Sequence, residues 1–129
     1  MKSLGIDFGE KRIGIALSDE SNHFAFPVSV LSNTSAALDE IVNICKKEGV
    51  GRIVMGESKD FKGNFNPIMK TVVPFAEDLK KKTGLPFFFE PEFLTSREAT
   101  HIQGNITQLD ASAAALILKH FLDTHHDIN

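Results

Sequence analysis

Three carboxylates occupy positions from which they could act together on a phosphate ester. Asp7 lies within an alternating apolar run, Glu92 follows an apolar run late in the chain, and Asp110 precedes an alanine-rich segment. Clustered carboxylate oxygens bind hard cations such as Mg²⁺ and Mn²⁺. Two such ions about 3.5–4 Å apart stabilise the attacking and leaving oxygens of a phosphodiester. The three residues are therefore candidates for catalysis and for metal binding.

Asp7 has the most unusual surroundings of the three. Successive side chains in a strand point to opposite faces, so Asp7 shares its face with Gly5 and Gly9. Glycine weakens the interior of a strand and often marks the close approach of a ligand or another backbone. A simpler interpretation is a tight hairpin in which the glycines serve packing and Asp7 pairs with Lys11 or Arg12.

Residues 1–19 predict a β-hairpin, because two alternating apolar runs flank a short turn at 9–11. The second run also places small residues on one face: Gly14, Ala16 and Ser18. If the small faces of the two strands align, they form a shallow floor with Asp7 at its centre.

The rest of the chain predicts three further strands and four helices. We expect strands at 24–31, 52–56 and 85–89, and helices from caps at 33–35 to about 47, between 66 and 84, from 95 to 104, and at 111–123. Pro27 favours an edge position for the third strand, and the apolar run at 85–89 is typical of a strand buried on both faces. Asn66 and Pro67 predict the N-cap and first residue of the second helix. Pro74 implies that this helix is bent or begins there.

This order of elements predicts an α/β fold in a single domain over residues 1–129. The first three strands form an antiparallel meander, and the last two follow helical crossovers and run parallel to the first. The result is a mixed five-stranded sheet flanked by helices. Ligands of open α/β sheets bind beyond the carboxyl ends of the strands, where Asp7 and Glu92 are expected. The last helix could bring Asp110 to the same end, although Asp110 as an N-cap and Glu92 as a surface carboxylate have ordinary structural explanations.

Composition excludes several classes of protein. The hydrophobic share is 42% and the charged share 24%, as in ordinary globular domains. We expect no membrane span and no secretory signal, and the single cysteine, Cys45, excludes an internal disulfide and a multi-cysteine zinc site. These features predict a cytoplasmic protein with Cys45 in its core. The net charge of −3 argues against a passive nucleic-acid binder but less against a nuclease, whose metal ions restore positive charge locally.

Three motifs resemble those of the YqgF/RuvX family. They are GIDFGEKRIGIALSD at 5–19, E-x-L-T-S at 92–96 with Ala99 following, and DASAAALIL at 110–118. The family comprises Holliday-junction-resolvase-like pre-16S rRNA nucleases with an RNase H-like fold. The resemblance covers essentially the whole chain, and its first and last motifs are the most specific.

The family's acidic triad corresponds to Asp7, Glu92 and Asp110. The family usually has Asp-Glu-Arg where this chain has Pro91, Glu92 and Phe93, so an acid and a base beside the glutamate are missing. This departure affects the expected substrate contacts more than the expected metal site.

The resemblance implies a metal-dependent endonuclease, with two Mg²⁺ or Mn²⁺ ions, that acts on structured RNA. The expected substrate is the 5′ end of the 16S rRNA precursor, with a Holliday junction or other branched DNA as the alternative. Lys11, Arg12 and Lys62 lie near the proposed site and are candidates for phosphate contacts, which position a substrate without specifying its sequence. We expect no membrane partner, and a monomer or weak homodimer.

Two other classes remain open at this point. The sequence Pro91-Glu92-Phe93 favours a catalytically silent nucleic-acid-binding module, which a cleavage assay with Mn²⁺ would distinguish from a nuclease. The string DFGEKRIG also resembles the phosphate loop of the actin and sugar-kinase class. That class needs a second lobe, for which 129 residues leave no room.

Overall fold

The computed structural model describes residues 1–58, 62, 64–91 and 106–125, with side chains from residue 111 onward in the last range. Its elements are β1 (Lys2–Phe8), β2 (Arg12–Ser18), β3 (Ala25–Ser32), α1 (Ala37–Glu48), β4 (Val50–Glu57), α2 (Met69–Thr83), β5 (Phe87–Pro91) and α3 (Ile106–Thr124). The described strands form one sheet in the order β3-β2-β1-β4-β5. The antiparallel meander of β1 to β3 and the parallel pairing of β4 and β5 are both as predicted.

The hairpin register confirms that the two small faces align. Gly5 lies opposite Ala16, and Asp7 lies opposite Gly14. Alternation then places the large apolar residues of both strands on the other face. The two faces of the hairpin therefore differ in residue size, and each is covered by different helices.

The sheet separates two apolar cores. On one face, α1 and α2 cover the large residues of the central strands: Leu4, Ile6, Ile13, Ile15, Ile53 and Met55. On the other face, α3 packs against Ala16 and Val54. Cys45 of α1 is buried in the first core, as predicted, and burial raises the pKa of its thiol to about 11.

The two edge strands differ in how well the sequence predicted them. β3 occupies one edge, as Pro27 indicated. β5 occupies the other edge and its residues 87–90 are only half-buried, so the prediction of a strand buried on both faces is wrong. Phe87 and Phe89 pack toward α1 and α2 while Phe88 packs toward α3. The apolar run of β5 is therefore explained by helices that partly bury both faces of this edge strand.

The start of α2 also differs from the prediction. Its N-cap is Ile68 rather than Asn66, because the Asn66 side chain instead donates a hydrogen bond to the Ser58 hydroxyl at 2.8 Å. Pro74 lies inside the helix and does not begin it. Both α1 and α2 end at a glycine in the left-handed conformation, Gly49 and Gly84.

Helix α3 begins at Ile106, so Asp110 is its fifth residue and not its N-cap. The prediction that Asp110 opens this helix is therefore wrong, and N-capping does not explain why an aspartate stands there. Within the described ranges, none of the helices has an apolar stretch of the length needed to cross a bilayer.

Candidate functional site

Asp7 is the next-to-last residue of β1, the central strand of the sheet. It is half-buried and lies on the face that α3 covers, since Gly5 on the same face contacts that helix. Arg12 of β2 lies on this face too, because it alternates with Gly14 and Ala16. The carboxylate and a guanidinium therefore share one face at the turn end of the hairpin.

Gly5 is required by the close approach of α3. A Cβ added there would lie 2.8 Å from the Leu118 Cβ and 2.9 Å from the Ala114 carbonyl oxygen, distances that real Cβ contacts do not reach. The small floor beside Asp7 is thus partly occupied by helix backbone. This part of the floor is explained by packing and not by a ligand.

The direction of α3 brings its first turns toward the Asp7 end of β1. Phe121 packs beneath Arg52, which lies beside Ser3 at the start of the sheet, while Ala114 lies over Gly5. The helix is therefore antiparallel to β1. The backbone of Asp110 lies about one turn before Ala114, farther toward the carboxyl end of that strand.

Glu90 shares this end of the sheet and was not among the predicted site residues. Ile6 pairs with Met55 and Met55 with Phe89, so Asp7 and Glu90 each follow one position later, two strands apart. At about 4.8 Å per strand their backbones are separated by about 10 Å. Burial raises the pKa of the Glu90 carboxyl, and the charges of His125 and His120 act in the opposite direction. No local sequence signal identifies Glu90, because its position level with Asp7 depends on the strand register.

The turn that carries Lys11 and Arg12 is held by a residue that the sequence also did not reveal. Asn33 donates from its side chain to the Gly9 carbonyl at 2.8 Å and from its backbone to the Lys11 carbonyl at 2.9 Å. The Gly9 amide donates to the Arg12 carbonyl at 2.9 Å, and a Cβ on Gly9 would lie 2.6 Å from that oxygen. Asn33 thus fixes the backbone from which the exposed Lys11 and half-buried Arg12 extend.

Lys62 belongs to the long segment that follows β4. The base of that segment is closed by Asn66, whose backbone donates to the Ser58 carbonyl at 3.0 Å and whose side chain donates to the Ser58 hydroxyl. Lys62 itself is exposed. It follows the carboxyl end of β4, beside the end of β1 that carries Asp7.

Two of the three predicted carboxylates fall where side chains are not described. Glu92 and the predicted helix at 95–104 lie outside the described residues, as does the side chain of Asp110. Among the side chains that are described, no group of three His, Cys, Asp or Glu residues could hold a metal ion. The donor set predicted from the sequence contains only carboxylates, which suits a hard divalent cation by its chemistry.

Comparison with known proteins gives consistent matches along the chain. A family model described as "RuvX: Holliday junction resolvase" matches residues 1–124. A protein of Carboxydothermus hydrogenoformans named "Putative pre-16S rRNA nuclease" is 37% identical over 133 residues, covering 95% of this chain and 96% of the relative. A protein of the same name from Desulforudis audaxviator is 32% identical over 134 residues, with 96% and 95% covered.

The fold also matches that of a protein of known structure. The structure of Thermus thermophilus RuvC in complex with a Holliday junction substrate superimposes with a TM-score of 0.64 at 12% identity, over 98% of this chain and 96% of that one. At this identity the likeness shows the fold alone, and it confirms the predicted RNase H-like architecture.

Proposed function

Because the chain belongs to the RuvX family, we propose that it is a metal-dependent endonuclease that cleaves structured RNA at the 5′ end of the 16S rRNA precursor. The name shared by the full-length relatives supports this substrate. The proposal treats residues 1–129 as one nuclease domain, which acts as a monomer or weak homodimer on precursor rRNA in the cytoplasm.

One observation carries the proposal. Asp7 stands at the carboxyl end of the central strand, on the face that α3 crosses, and α3 runs so that Asp110 lies toward the same end. Carboxyl ends of strands are where open α/β sheets bind ligands. Asp110 is not the N-cap of α3, so helix capping does not account for it. This supports the proposal that its carboxylate binds metal.

Asp7, Glu92 and Asp110 would hold two Mg²⁺ or Mn²⁺ ions through their carboxylate oxygens. When bound, such ions neutralise charge on the attacking and leaving oxygens of the phosphodiester. Lys11, Arg12 and Lys62 would contact substrate phosphates and fix the position of the RNA. The hydrogen bonds from Asn33 to the turn support this role for Lys11 and Arg12, because they fix the backbone of the turn before substrate binds.

The proposal is tested by cleavage of a precursor rRNA fragment in Mn²⁺ by the wild type and by Asp7→Asn. We expect cleavage by the wild type, background activity in Asp7→Asn, and loss of cleavage when EDTA is in excess. Asp78→Asn, which changes an exposed aspartate on α2, is the matched control and should cleave normally. Protein-dependent cleavage that persists in EDTA, after contaminating nucleases are excluded, would refute the metal-dependent mechanism.

Branched DNA is the second candidate substrate, and the family description together with the fold shared with a junction-bound resolvase favours it. A four-way junction and the RNA fragment should be compared at equal concentration with the same protein preparation. Faster cleavage of the junction would replace RNA by DNA in the proposal. Binding of either substrate without cleavage in Mn²⁺ would instead identify a silent binding module, as Pro91 and Phe93 beside Glu92 would allow.

A further inference from the structure

A polar network lies at the starting end of β1 and the carboxyl end of β2, opposite the end of the sheet that carries Asp7. The Ser3 hydroxyl donates to the Asn22 side-chain carbonyl at 2.7 Å, and the Ser18 hydroxyl lies 2.9 Å from the same oxygen. Asn22 has a left-handed backbone, with φ 59°. Its side-chain amide donates a hydrogen bond to the Met1 carbonyl at 2.9 Å. This network fixes the oxygen of Ser3, which accepts a hydrogen bond from Arg52.

Arg52 is held by this network, but no described carboxylate balances its charge. Its Nε donates to the Ser3 hydroxyl at 2.7 Å, and its guanidinium carbon lies 5.1 Å from the centre of the Phe121 ring. The Nη2 atom is buried and has no hydrogen-bond partner among the residues that the structure describes. Across the described residues, no carboxylate forms an ion pair with Arg52. A buried donor without a partner is costly, so its retention calls for an explanation.

Arg52 also lines a cleft of about 470 Å³. This volume is in the range of sites that bind small molecules. Pro86 and Phe88 form an apolar wall, and Asn22 supplies a polar side. Glu20 also lines the cleft, and its carboxylate is 3.7 Å from the amine of Met1, which offsets its charge. The cleft therefore combines one guanidinium with a flat apolar surface.

The wall formed by Met1 is adjustable. The Met1 side chain lies over Gly51, where an added Cβ would be 2.8 Å from the Met1 Cβ and 2.9 Å from its sulfur. Met1 is 78% exposed, and an unbranched thioether side chain adopts many conformations. A ligand can thus reshape this side of the cleft without disturbing the strands.

We propose that this cleft binds a small organic anion, whose carboxylate or phosphate group pairs with Arg52 and whose flat apolar body packs on Phe88 and Pro86. Nε is hydrogen-bonded to Ser3 and Nη2 is enclosed, so Arg52 would bind either anion through its positive charge and a charge-assisted hydrogen bond from its remaining nitrogen, Nη1. Arg52 is level with Ser3, four residues before Asp7 along β1, which is about 13 Å. The site is therefore separate from the proposed nuclease site and does not depend on it.

The test uses four probes that separate the anion from the apolar body. Phenyl phosphate and phenylacetate carry a phosphate and a carboxylate on the same ring, inorganic phosphate lacks the ring, and benzyl alcohol lacks the charge. Binding to the full chain is followed by chemical shifts of backbone amides at probe concentrations up to about 10 mM. Arg52→Gln removes the charge, and Ser21→Trp fills the cleft from an exposed position on its lining while Arg52 stays intact. Lys47→Gln, which removes a cation at the end of α1, is the control.

We expect at least one charged ring probe to bind saturably, and at least tenfold more tightly than inorganic phosphate or benzyl alcohol. Its affinity should fall at least tenfold in Arg52→Gln and in Ser21→Trp and stay unchanged in Lys47→Gln. The comparison of phenyl phosphate with phenylacetate identifies which anion the site takes. Absence of saturable binding by both, binding no tighter than the uncharged probe, or unchanged affinity in either cleft variant would overturn the proposal.

Discussion

The two faces of the central sheet are built on different principles. On β1 and β2, the face toward α1 and α2 carries large apolar side chains, whereas the face toward α3 carries small and polar ones. On β1 this means Leu4, Ile6 and Phe8 on one face and Ser3, Gly5 and Asp7 on the other. These residues alternate along one strand, so each residue of one face is followed in the sequence by a residue of the other face.

This difference separates stability from function. The large residues of the α1 and α2 face form the larger of the two cores of buried residues. The small residues of the α3 face let a helix backbone approach closely, and polar residues lie at either end of that face. Asp7 and Glu90 lie at one end of it, and Ser3 and Arg52 lie at the other. Five substitutions test this division, beginning with the largest expected effect on stability.

Ile6→Ala should be the most destabilising of them. Ile6 is fully buried against α1 and α2, and truncation leaves a cavity that a packed sheet cannot close. We expect a loss of about 2–5 kcal/mol in the free energy of unfolding. Urea denaturation in EDTA measures this loss, with Val28→Ala on the exposed side of β3 as the control. A loss below about 1 kcal/mol would mean that the α1 and α2 face is not the main stabilising core.

Gly5→Ala should destabilise by overpacking on the opposite face. The added methyl group would meet the backbone carbonyl of Ala114, which cannot move aside like a side chain. We expect a loss of about 1–3 kcal/mol. The matched control is Gly51→Ala, whose added methyl group meets only the flexible Met1 side chain and should have a smaller effect. Equal losses in the two variants would contradict the close packing of α3 on β1.

The sequence predicted this two-faced hairpin because alternation is a local property. Gly5, Asp7 and Gly9 share a face whatever the rest of the chain does, and the register then follows from a short turn. The small residues indicated a close approach, but not whether a ligand or a helix makes it. That distinction needs the position of α3, which contacts Gly5 from more than a hundred residues away.

Features fixed by distant contacts were predicted less well. The apolar run at 85–89 carries no information on strand order, so it predicts a strand buried on both faces where the structure has a half-buried edge strand. Asn66 has a strong capping preference, but its amide bonds to Ser58 instead. The same preference predicts a helix start at Asp110, although α3 begins at Ile106. Glu90 and Asn33 join the site only through register and tertiary hydrogen bonds.

Asp7→Asn should have opposite effects on activity and stability. In the metal-free protein Asp7 would lie near Glu92 and Asp110, and like charges held together repel. Removing one charge at constant shape should stabilise the metal-free protein by about 0.5–2 kcal/mol, because substitutions that remove unfavourable interactions from an active site commonly stabilise the fold. Thermal melts in EDTA measure this gain, beside the cleavage assay in Mn²⁺.

The structural alternative for Asp7, an ion pair with Lys11 or Arg12, predicts a loss of about 0–1 kcal/mol instead. Asp39→Asn provides the reference for that case, because Asp39 forms an exposed ion pair with Lys82 at 2.9 Å and should lose stability on substitution. A destabilised Asp7→Asn protein that still cleaves would make Asp7 a structural residue.

Asn33→Ala should affect binding through the turn that it holds. The substitution removes the hydrogen bond to the Gly9 carbonyl, for which we expect a loss of about 0.5–1.5 kcal/mol in stability. If Lys11 and Arg12 contact substrate, KM should rise as well, with kcat little changed, because the loosened turn affects binding more than chemistry. Asn33→Asp, which retains the acceptor but not the donor, should resemble Asn33→Ala. An unchanged KM in both variants would limit Asn33 to a structural role.

Lys62→Ala should have the smallest effect on folding, because Lys62 is exposed. If it contacts a substrate phosphate, its removal should weaken binding and reduce the slope of log affinity against log salt by about 0.7–0.9, since one fewer counterion is released. The slope is measured by titrating labelled RNA at several salt concentrations. Lys47→Ala, at the end of α1, removes the same charge far from β1's carboxyl end and should leave the slope unchanged.

These two lysines sharpen the contrast between the ends of the sheet, because net charge changes equally in both variants. A general electrostatic attraction to RNA would lower affinity and slope alike in each. A site at the carboxyl ends of β1 and β4 lowers them only when Lys62 is removed, since only a lysine that reaches a phosphate displaces its counterion. Equal slopes in Lys62→Ala and the wild type would remove Lys62 from the site and leave Lys11 and Arg12 as its proposed phosphate contacts.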